Sequence, residues 1–322
     1  MRRRRRPRTS SRVTAITSDP AVIGNRARGR QSLAHLQASL WLFLLPSGLV
    51  LGAVMLYPLG YAIVLSLYNY DLGNGAYAFI GLDNYTALLN EERFWASLDR
   101  TVLIVLAAVG LEFVLGLLVA YGLYRLTFAV RTLNLLLFLP NVVTPVVSAL
   151  FIRWIFVSRW GLLSGTLIGF GIFPPDFLGN PAWARTVVVL ADAWQFTPFM
   201  VLVLYAGLNT VDQSQIEAAQ IDGAGIWTLL FRIMLPAIRP LIVFVLAIRM
   251  MDAFRFFDTI YVLTSGGPGT ATETITLYTY ALAFRLLQVG KASALGVLTL
   301  VFVAGLTGLM IRIVYRRERG AF

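Results

Sequence analysis

Long apolar stretches recur along this chain, and they constrain its fold more than any other feature. A helix needs about 20 consecutive apolar residues to cross about 30 Å of hydrocarbon. Hydrophobic residues make up 58% of the 322 residues and charged residues only 13%, a balance typical of an integral membrane protein. Stretches of sufficient length occur at about residues 40–67, 101–124, 132–157, 186–208, 241–263 and 292–314. The sequence therefore predicts an all-α integral membrane protein with six transmembrane helices.

The first 38 residues differ in composition from the rest of the chain. Residues 1–38 contain ten arginines, of which five are consecutive, and a single acidic residue, Asp19. So few apolar side chains cannot form a core, and we expect this segment to be disordered and cytoplasmic. Its charge favours anionic membrane lipid as a partner over nucleic acid. The chain thus divides into a basic N-terminal segment and a membrane domain at residues 39–322.

The charges between the spans predict the orientation of the chain. With the N-terminus in the cytoplasm, residues 69–100, 158–185 and 264–291 lie outside. The first of these loops has five acidic residues against two arginines, whereas the C-terminal end, from Arg312 onward, has four arginines against one acid. Because cytoplasmic segments are enriched in arginine and lysine, both termini are predicted to be cytoplasmic.

A polar loop at about residues 209–240 lies on the cytoplasmic side in this topology. Asp212, followed three positions later by Gln215, predicts the start of a short helix, and Gly223 predicts its end. A second helix is expected at about residues 226–235. Such a helix-turn-helix between two spans is suited to docking a partner, although an ordinary amphipathic connector is the alternative.

The residues of this loop resemble the EAA loop of binding-protein-dependent ABC importer permeases. The matching positions are Glu217, Ala218, Ala219, Asp222, Gly223, Ala224, Phe231, Leu235 and Pro236. The resemblance implies a type I ABC importer permease fold with a cytoplasmic EAA coupling-helix loop that fits a cleft on the ATP-hydrolysing subunit. It assigns the coupling contacts to Glu217, Ala218, Ala219, Asp222, Gly223 and Ala224.

Other stretches resemble the carbohydrate-uptake permeases of the maltose and glycerol-phosphate type, in particular the first of the two permeases. They are residues 81–85 with Phe94 and Trp95, residues 139–140 with Arg153 and Trp154, and residues 263–268 with Tyr278, Tyr280, Ala283 and Phe284. The resemblance implies alternating-access uptake of an oligosaccharide, polyol, glycerol phosphate or sulfosugar across a bacterial inner membrane. It also implies a homologous second permease subunit, an ATPase subunit dimer that holds ATP and Mg, and an extracytoplasmic solute-binding protein.

Several kinds of chemistry lack the residues that they need. The chain has no cysteine and one histidine, His35, so no metal site is expected. Gly290 and Lys291 are not part of a Walker A sequence, and no catalytic constellation is present. We therefore expect a permease subunit without its own ATPase site and without a bound cofactor. A secondary transporter or channel for small polar solutes is the alternative function.

Polar residues beside prolines inside the spans indicate where a solute could cross. Pro145 and Pro198 each remove a backbone hydrogen bond, and transporters place such breaks near the solute site. Asn141 lies close to the first break. Asp192, Trp194 and Gln195 lie close to the second, where Trp194 offers a flat face for a sugar ring. The alternative is that Asn141 and Gln195 only hold helices together.

The fifth span carries charges of alternating sign at steps of three residues: Arg249, Asp252, Arg255 and Asp258. Two interpretations stay open: pairing of each arginine with the next aspartate, or a spare guanidinium at Arg249 that binds an anionic sugar. Glu112 in the second span is expected to have an arginine partner on a neighbouring span. The predicted substrate pathway consists of Asn141, Asp192, Trp194, Gln195, Arg249, Asp252, Ala253 and Arg255.

Overall fold

The computed structural model describes residues 44–158 and 160–318; the predicted basic segment at residues 1–38 lies outside them. In chain order the elements are α1 (Leu44–Leu65), β1 (Tyr68–Asp71), β2 (Ala76–Phe79), α2 (Asp83–Leu89), α3 (Glu92–Arg125), α4 (Val130–Val142), α5 (Pro145–Phe156), α6 (Leu162–Gly169), α7 (Pro181–Leu208), α8 (Gln213–Ile221), α9 (Ile226–Ala237), α10 (Arg239–Ala253), α11 (Asp258–Leu263), α12 (Ile275–Tyr280) and α13 (Val289–Glu318). Helix α9 is π-helical over Leu229–Met234, and a second π-helical turn, Ala281–Arg285, follows α12.

Four helices are long and apolar enough to cross a membrane: α1, α3, α7 and the first part of α13. The pairs α4–α5 and α9–α10 meet the same criterion only together, and they are bent by 91° and 74°. The described residues thus contain four candidate spans, or up to six if each bent pair is one span. The predicted helical membrane protein is confirmed at this level of detail.

A two-stranded hairpin departs from the predicted all-α class. Strands β1 and β2 pair antiparallel, with Tyr68 opposite Phe79. Asp71 closes the turn by accepting a hydrogen bond from the backbone N–H of Gly73 at 2.8 Å. The buried side chain of Asn84 donates to the carbonyl oxygens of Ser66 and Tyr68 at 2.8 and 2.9 Å, and it thereby attaches the hairpin to α2.

Two predicted spans differ in extent from the helices of the structure. Helix α3 begins at Glu92 rather than near residue 101, because the polar residues before the apolar stretch form its first turns. The predicted span at residues 241–263 is interrupted: α10 ends at Ala253, and α11 begins at Asp258. No proline marks this interruption. It falls where charged residues enter the apolar sequence.

Helices α3 and α7 pack closely at the centre of the described structure. A Cβ atom on Gly116 of α3 would lie 2.6 Å from Cγ of Met200 on α7, so only glycine permits this approach. Met200 is fully buried, as are Leu204 and Leu208 on the same helix. Close packing of this kind stabilises helix pairs in a membrane, where the hydrophobic effect does not drive helices together.

A cluster at the N-terminus of α3 fixes α12 and α13. Glu91 accepts hydrogen bonds from Nζ of Lys291 at 2.5 Å and from the hydroxyl of Tyr278 at 2.8 Å. Burial raises the pKa of Glu91, but these hydrogen bonds outweigh it and lower the pKa below its usual value. The guanidinium of Arg93 donates to Glu273 at 2.6 and 3.0 Å.

Candidate functional site

The bend between α4 and α5 lies at Pro145, as predicted. Thr144 is extended, as the residue before proline prefers, and Pro145 is the first residue of α5. Gln195 on α7 donates from Nε2 to the carbonyl of Val143 at 2.9 Å, and Asn141 donates from Nδ2 to the carbonyl of Gln195 at 3.3 Å. These amides therefore satisfy backbone groups around the bend and hold it against α7.

The break predicted at Pro198 does not occur. Pro198 lies inside α7, which is continuous from Pro181 to Leu208. Trp194 is 48% exposed. It lies two residues from Asp192, and therefore about 200° around the helix from it. Asp192 is buried, so the structure does not bring the predicted sugar platform to the same side of α7.

A buried charge cluster joins three helices around Arg249. Its guanidinium donates from Nε and Nη2 to the two carboxylate oxygens of Glu112 on α3, at 2.7 and 2.8 Å. Nη2 also donates to Asp192 on α7 at 3.0 Å, and Nη1 donates to Asp252 on α10 at 2.8 Å. The ring of Phe196 lies 4.0 Å from the guanidinium and covers it.

This cluster decides between the two interpretations of Arg249. The predicted pair with Asp252 is confirmed, and so is an arginine partner for Glu112. All three guanidinium nitrogens have partners and Arg249 is 2% exposed, so the prediction of a spare guanidinium at this position is wrong. Among the described residues, the predicted pair of Arg255 with Asp258 does not form an ion pair within 4.0 Å.

The cluster contains more acids than bases. Glu112, Asp192 and Asp252 surround a single guanidinium, and Oδ1 of Asp192 is buried without a hydrogen-bond partner. An unpaired buried charge lowers the stability of a protein. The arrangement therefore depends on the simultaneous hydrogen bonds from Arg249 to all three carboxylates. In the part of the chain that the structure describes, no group of histidines, cysteines and carboxylates forms a metal site.

A cavity of about 200 Å³ lies beside this cluster, where the bend at Pro145 meets the interruption between α10 and α11. Four of the predicted pathway residues line it, namely Asp192, Asp252, Ala253 and Arg255. The other lining residues are Pro145, Phe196, Phe256, Phe257, Asp258 and Thr259. Sequence reasoning did not assign the phenylalanines to the site, because an aromatic residue facing a cavity and one facing lipid have the same hydropathy.

The cytoplasmic loop of the predicted topology forms a capped helix. Asp212 accepts a hydrogen bond from the backbone N–H of Ser214 at 2.9 Å, which begins α8. At the other end, Gly223 has a φ of 80°, and its N–H donates to the carbonyl of Gln220 at 3.0 Å. The N–H of Ala224 donates to the carbonyl of Ala219 at 2.9 Å. This pair of bonds is the Schellman motif, which needs a left-handed residue and so favours glycine.

Helix α8 presents most of the predicted coupling residues at its surface. Ile216 is 4% exposed and anchors the helix in the apolar core. Glu217, Ala218, Asp222 and Gly223 are exposed, whereas Ala219 and Ala224 are half-buried. Two large apolar side chains that the sequence did not single out extend this surface: Ile221 is 86% exposed and Trp227 is 66% exposed.

Comparison with known protein families and relatives gives a consistent result. The model of the family described as "Binding-protein-dependent transport system inner membrane component" matches residues 101–320. The chain is 33% identical to the sulfoquinovosyl glycerol transport system permease protein SmoG of Agrobacterium fabrum, over 86% of this chain and 90% of that protein. It is 35% identical to the trehalose transport system permease protein SugA of Mycobacterium tuberculosis, over 83% and 86%. It is 31% identical to the sn-glycerol-3-phosphate transport system permease protein UgpA of Yersinia enterocolitica, over 87% and 95%.

The fold also matches a solved structure. A chain of a bacterial alginate ABC transporter, crystallised in complex with an alginate pentasaccharide-bound periplasmic protein, superimposes with a TM-score of 0.76. The alignment covers 88% of this chain and 96% of that one, at 22% sequence identity. At this identity the likeness concerns the fold.

Proposed function

Because the chain belongs to the family of binding-protein-dependent transport system inner membrane components, we propose that it is the permease subunit of an ATP-driven importer for a carbohydrate or carbohydrate-like solute. The observation that carries this proposal is the family match over residues 101–320, together with relatives named for trehalose, sulfoquinovosyl glycerol and sn-glycerol 3-phosphate transport. The chain contains no Walker A sequence, so the ATP that drives transport is hydrolysed on a separate subunit.

The proposed membrane topology has six spans, with each bent pair counted as one. Both termini and α8 then lie in the cytoplasm, and the β1–β2 hairpin lies outside. The arginines after the last span and the acidic residues after the first support this orientation. The chain is accordingly a multi-pass protein of a bacterial inner membrane.

In this topology α8 is the coupling helix. Glu217, Ala218, Ala219, Asp222, Gly223 and Ala224 contact an ATPase subunit, which binds ATP and Mg. Four of them, Glu217, Ala218, Asp222 and Gly223, are exposed on or just after a helix that Ile216 anchors in the core. This supports the role, because movement of the partner is then transmitted to α9 and α10. A homologous second permease completes the membrane unit, an ATPase dimer binds its cytoplasmic side, and an extracytoplasmic binding protein delivers the solute.

The solute path passes the cavity between Pro145 and Phe257. The bend at Pro145 meets the interruption between α10 and α11 there, and transporters usually place interrupted helices at the solute site. Alternating access then requires the bend at Pro145 and the interruption between α10 and α11 to open the cavity toward one side of the membrane at a time. Arg249 ties α3, α7 and α10 together beside these bends.

Purification of the assembled complex tests the proposal. The tagged chain is isolated from detergent-solubilised native membranes, and the copurifying proteins are identified by mass spectrometry. The variants are Glu217→Lys and, as the control, Gln215→Lys, which introduces the same side chain about 160° away around α8 and changes the charge by one unit rather than two. Both residues are exposed.

We expect wild type and Gln215→Lys to copurify a P-loop ATPase and a second permease, and Glu217→Lys to lose most of the ATPase. If no ATPase accompanies even the wild-type chain, the importer proposal fails, and a secondary transporter becomes the better interpretation.

A further inference from the structure

The lining of the 200 Å³ cavity has an excess of negative charge. Its ionisable residues are Asp192, Asp252, Asp258 and Arg255. Arg249 lies behind this lining, and its charge is already shared among Glu112, Asp192 and Asp252. Counted together, these six side chains comprise four carboxylates and two guanidiniums. Even without the buried Asp192, the carboxylates of Asp252 and Asp258 outnumber the one guanidinium of the lining, so a solute in the cavity meets a negative potential.

Two of the carboxylates are available to a solute. The side chain of Asp252 is 55% exposed, and only its Oδ2 is bonded to Arg249. Asp258 is exposed, and its carboxylate makes no hydrogen bond or ion pair with any residue that the structure describes. Ionised carboxylates are acceptors only, so they bind solutes that donate, such as sugar hydroxyl groups.

The remaining surface of the cavity is aromatic. Phe196, Phe256 and Phe257 line it, and their rings can contact the C–H face of a sugar ring. Aromatic faces beside isolated hydrogen-bond acceptors form a site for a solute with an apolar face and hydroxyl groups at its edge. Neither type of group favours an anion.

Arg255 is the one cation of the lining, and it does not reverse this balance. Its guanidinium makes no hydrogen bond or ion pair with a described residue, and Asp252 and Asp258, three residues away on either side of it, line the same cavity. A phosphate, sulfonate or carboxylate that approached Arg255 inside this cavity would also approach these two acids.

We infer that the solute that crosses this cavity is an uncharged carbohydrate, whose hydroxyl groups donate hydrogen bonds to Asp252 and Asp258. The negative lining disfavours phosphorylated, sulfonated and uronic acid sugars. This inference rests on the proposed function. It distinguishes among solute classes that the names of the relatives leave open, since sulfoquinovosyl glycerol and glycerol 3-phosphate are anionic and trehalose is neutral.

Uptake by the complete importer tests the inference. The complex and its own binding protein are reconstituted in proteoliposomes, and ATP-dependent uptake is measured for trehalose, maltose, glycerol 3-phosphate, sulfoquinovosyl glycerol and an alginate trisaccharide. We expect uptake of at least one neutral sugar and no more than a tenth of that rate for any anionic probe. Uptake of any anionic probe at more than a tenth of the neutral-sugar rate overturns the inference. So does the absence of uptake for every probe. The importer proposal still stands in both cases if the ATPase copurifies.

Two variants and a control connect the selectivity to the cavity. Loss of a hydrogen bond to a charged group predicts an approximately ten-fold higher KM for the neutral sugar in Asp258→Asn. Asp99→Asn removes an exposed acid that does not line the cavity, and it is expected to change KM less than two-fold. An Arg255→Gln effect larger than that of Asp258→Asn would contradict the inference. ATPase activity stimulated by the loaded binding protein reports whether each variant complex is intact.

Discussion

At the scale of single residues, Arg249 makes the least replaceable contacts. Its planar guanidinium serves Glu112, Asp192 and Asp252 in three directions, which the single ammonium of lysine cannot do. We therefore expect Arg249→Lys to destabilise the protein by roughly 3 kcal/mol, although it keeps the charge. The measurement is the thermal unfolding midpoint and the monodisperse fraction of the detergent-solubilised chain.

Asp192→Asn is the matched comparison in the same cluster. The amide oxygen still accepts from Arg249, and the substitution leaves one acid fewer in a group whose acids outnumber its single base. We expect its stability to lie within about 1 kcal/mol of wild type. An equal loss of stability for Arg249→Lys and Asp192→Asn would show that the shapes of the side chains, rather than the directions of the ion pairs, determine the stability of the cluster.

Glu91 provides a prediction about pH. Its pKa is lowered in the folded protein by Lys291 and Tyr278, so the stabilisation is present above the unfolded-state pKa, near 4.5, and is lost as the pH falls through the folded-state pKa. We expect Glu91→Gln to lower stability by less than about 1 kcal/mol at pH 7, because the pair is partly exposed, and to make a diminishing difference below pH 4.5.

The check is a series of thermal unfolding midpoints between pH 3.5 and 7 for wild type, Glu91→Gln and Glu92→Gln. Glu92 is exposed and adjacent to Glu91, which makes it a control for the loss of one negative charge. A difference between wild type and Glu91→Gln that does not change with pH would contradict this assignment.

At the scale of elements, some breaks could be predicted from the sequence and others could not. Pro145 predicts the bend between α4 and α5 because proline disfavours helical geometry at the preceding residue. The same argument fails at Pro198, because α7 continues through this proline as one unbroken helix. The interruption before Asp258 has no proline, and only the charges around it indicated an unusual segment.

The cavity follows from packing across helices, which a sequence does not reveal. Hydropathy shows that Glu112 and Arg249 lie within apolar stretches and need partners, but it contains no distance between helices. The sequence thus predicted an arginine partner for Glu112, left pairing and solute binding both open for Arg249, and did not determine the contact between the two residues. Hydropathy also does not show which aromatic side chains face a cavity. For this reason Trp194 was predicted to line the solute path and Phe196 was not.

The close contact of α3 with α7 gives a test at this scale. Gly116→Ala places a methyl group 2.6 Å from Cγ and 2.9 Å from Cβ of the buried Met200, so the helices must shift. We expect a loss of about 1–3 kcal/mol from overpacking. Gly110→Ala, on the same helix, meets no atom within 4 Å and is expected to be neutral or slightly stabilising, because alanine favours a helix. Unfolding midpoints in one detergent compare the two, and equal values would show that α7 adapts without cost.

At the scale of the whole molecule, orientation in the membrane is the property on which the proposed function most depends. The coupling role of α8 requires the side of the membrane where ATP is present. The binding protein requires the hairpin and α2 to lie on the other side. Charge asymmetry predicts this arrangement, whereas the helices alone are compatible with either direction.

Cysteine labelling can decide the orientation. No native cysteine has to be removed first, because the chain has none. Ala87 on α2 and Gln220 on α8 are both exposed, so a cysteine at either position is accessible to a reagent on its own side. We expect a membrane-impermeant maleimide to label Ala87→Cys in intact spheroplasts and to label Gln220→Cys only after permeabilisation. The reverse pattern would place α8 outside, where no ATPase could dock, and would rule out the coupling role of Glu217 whatever the family relationship implies.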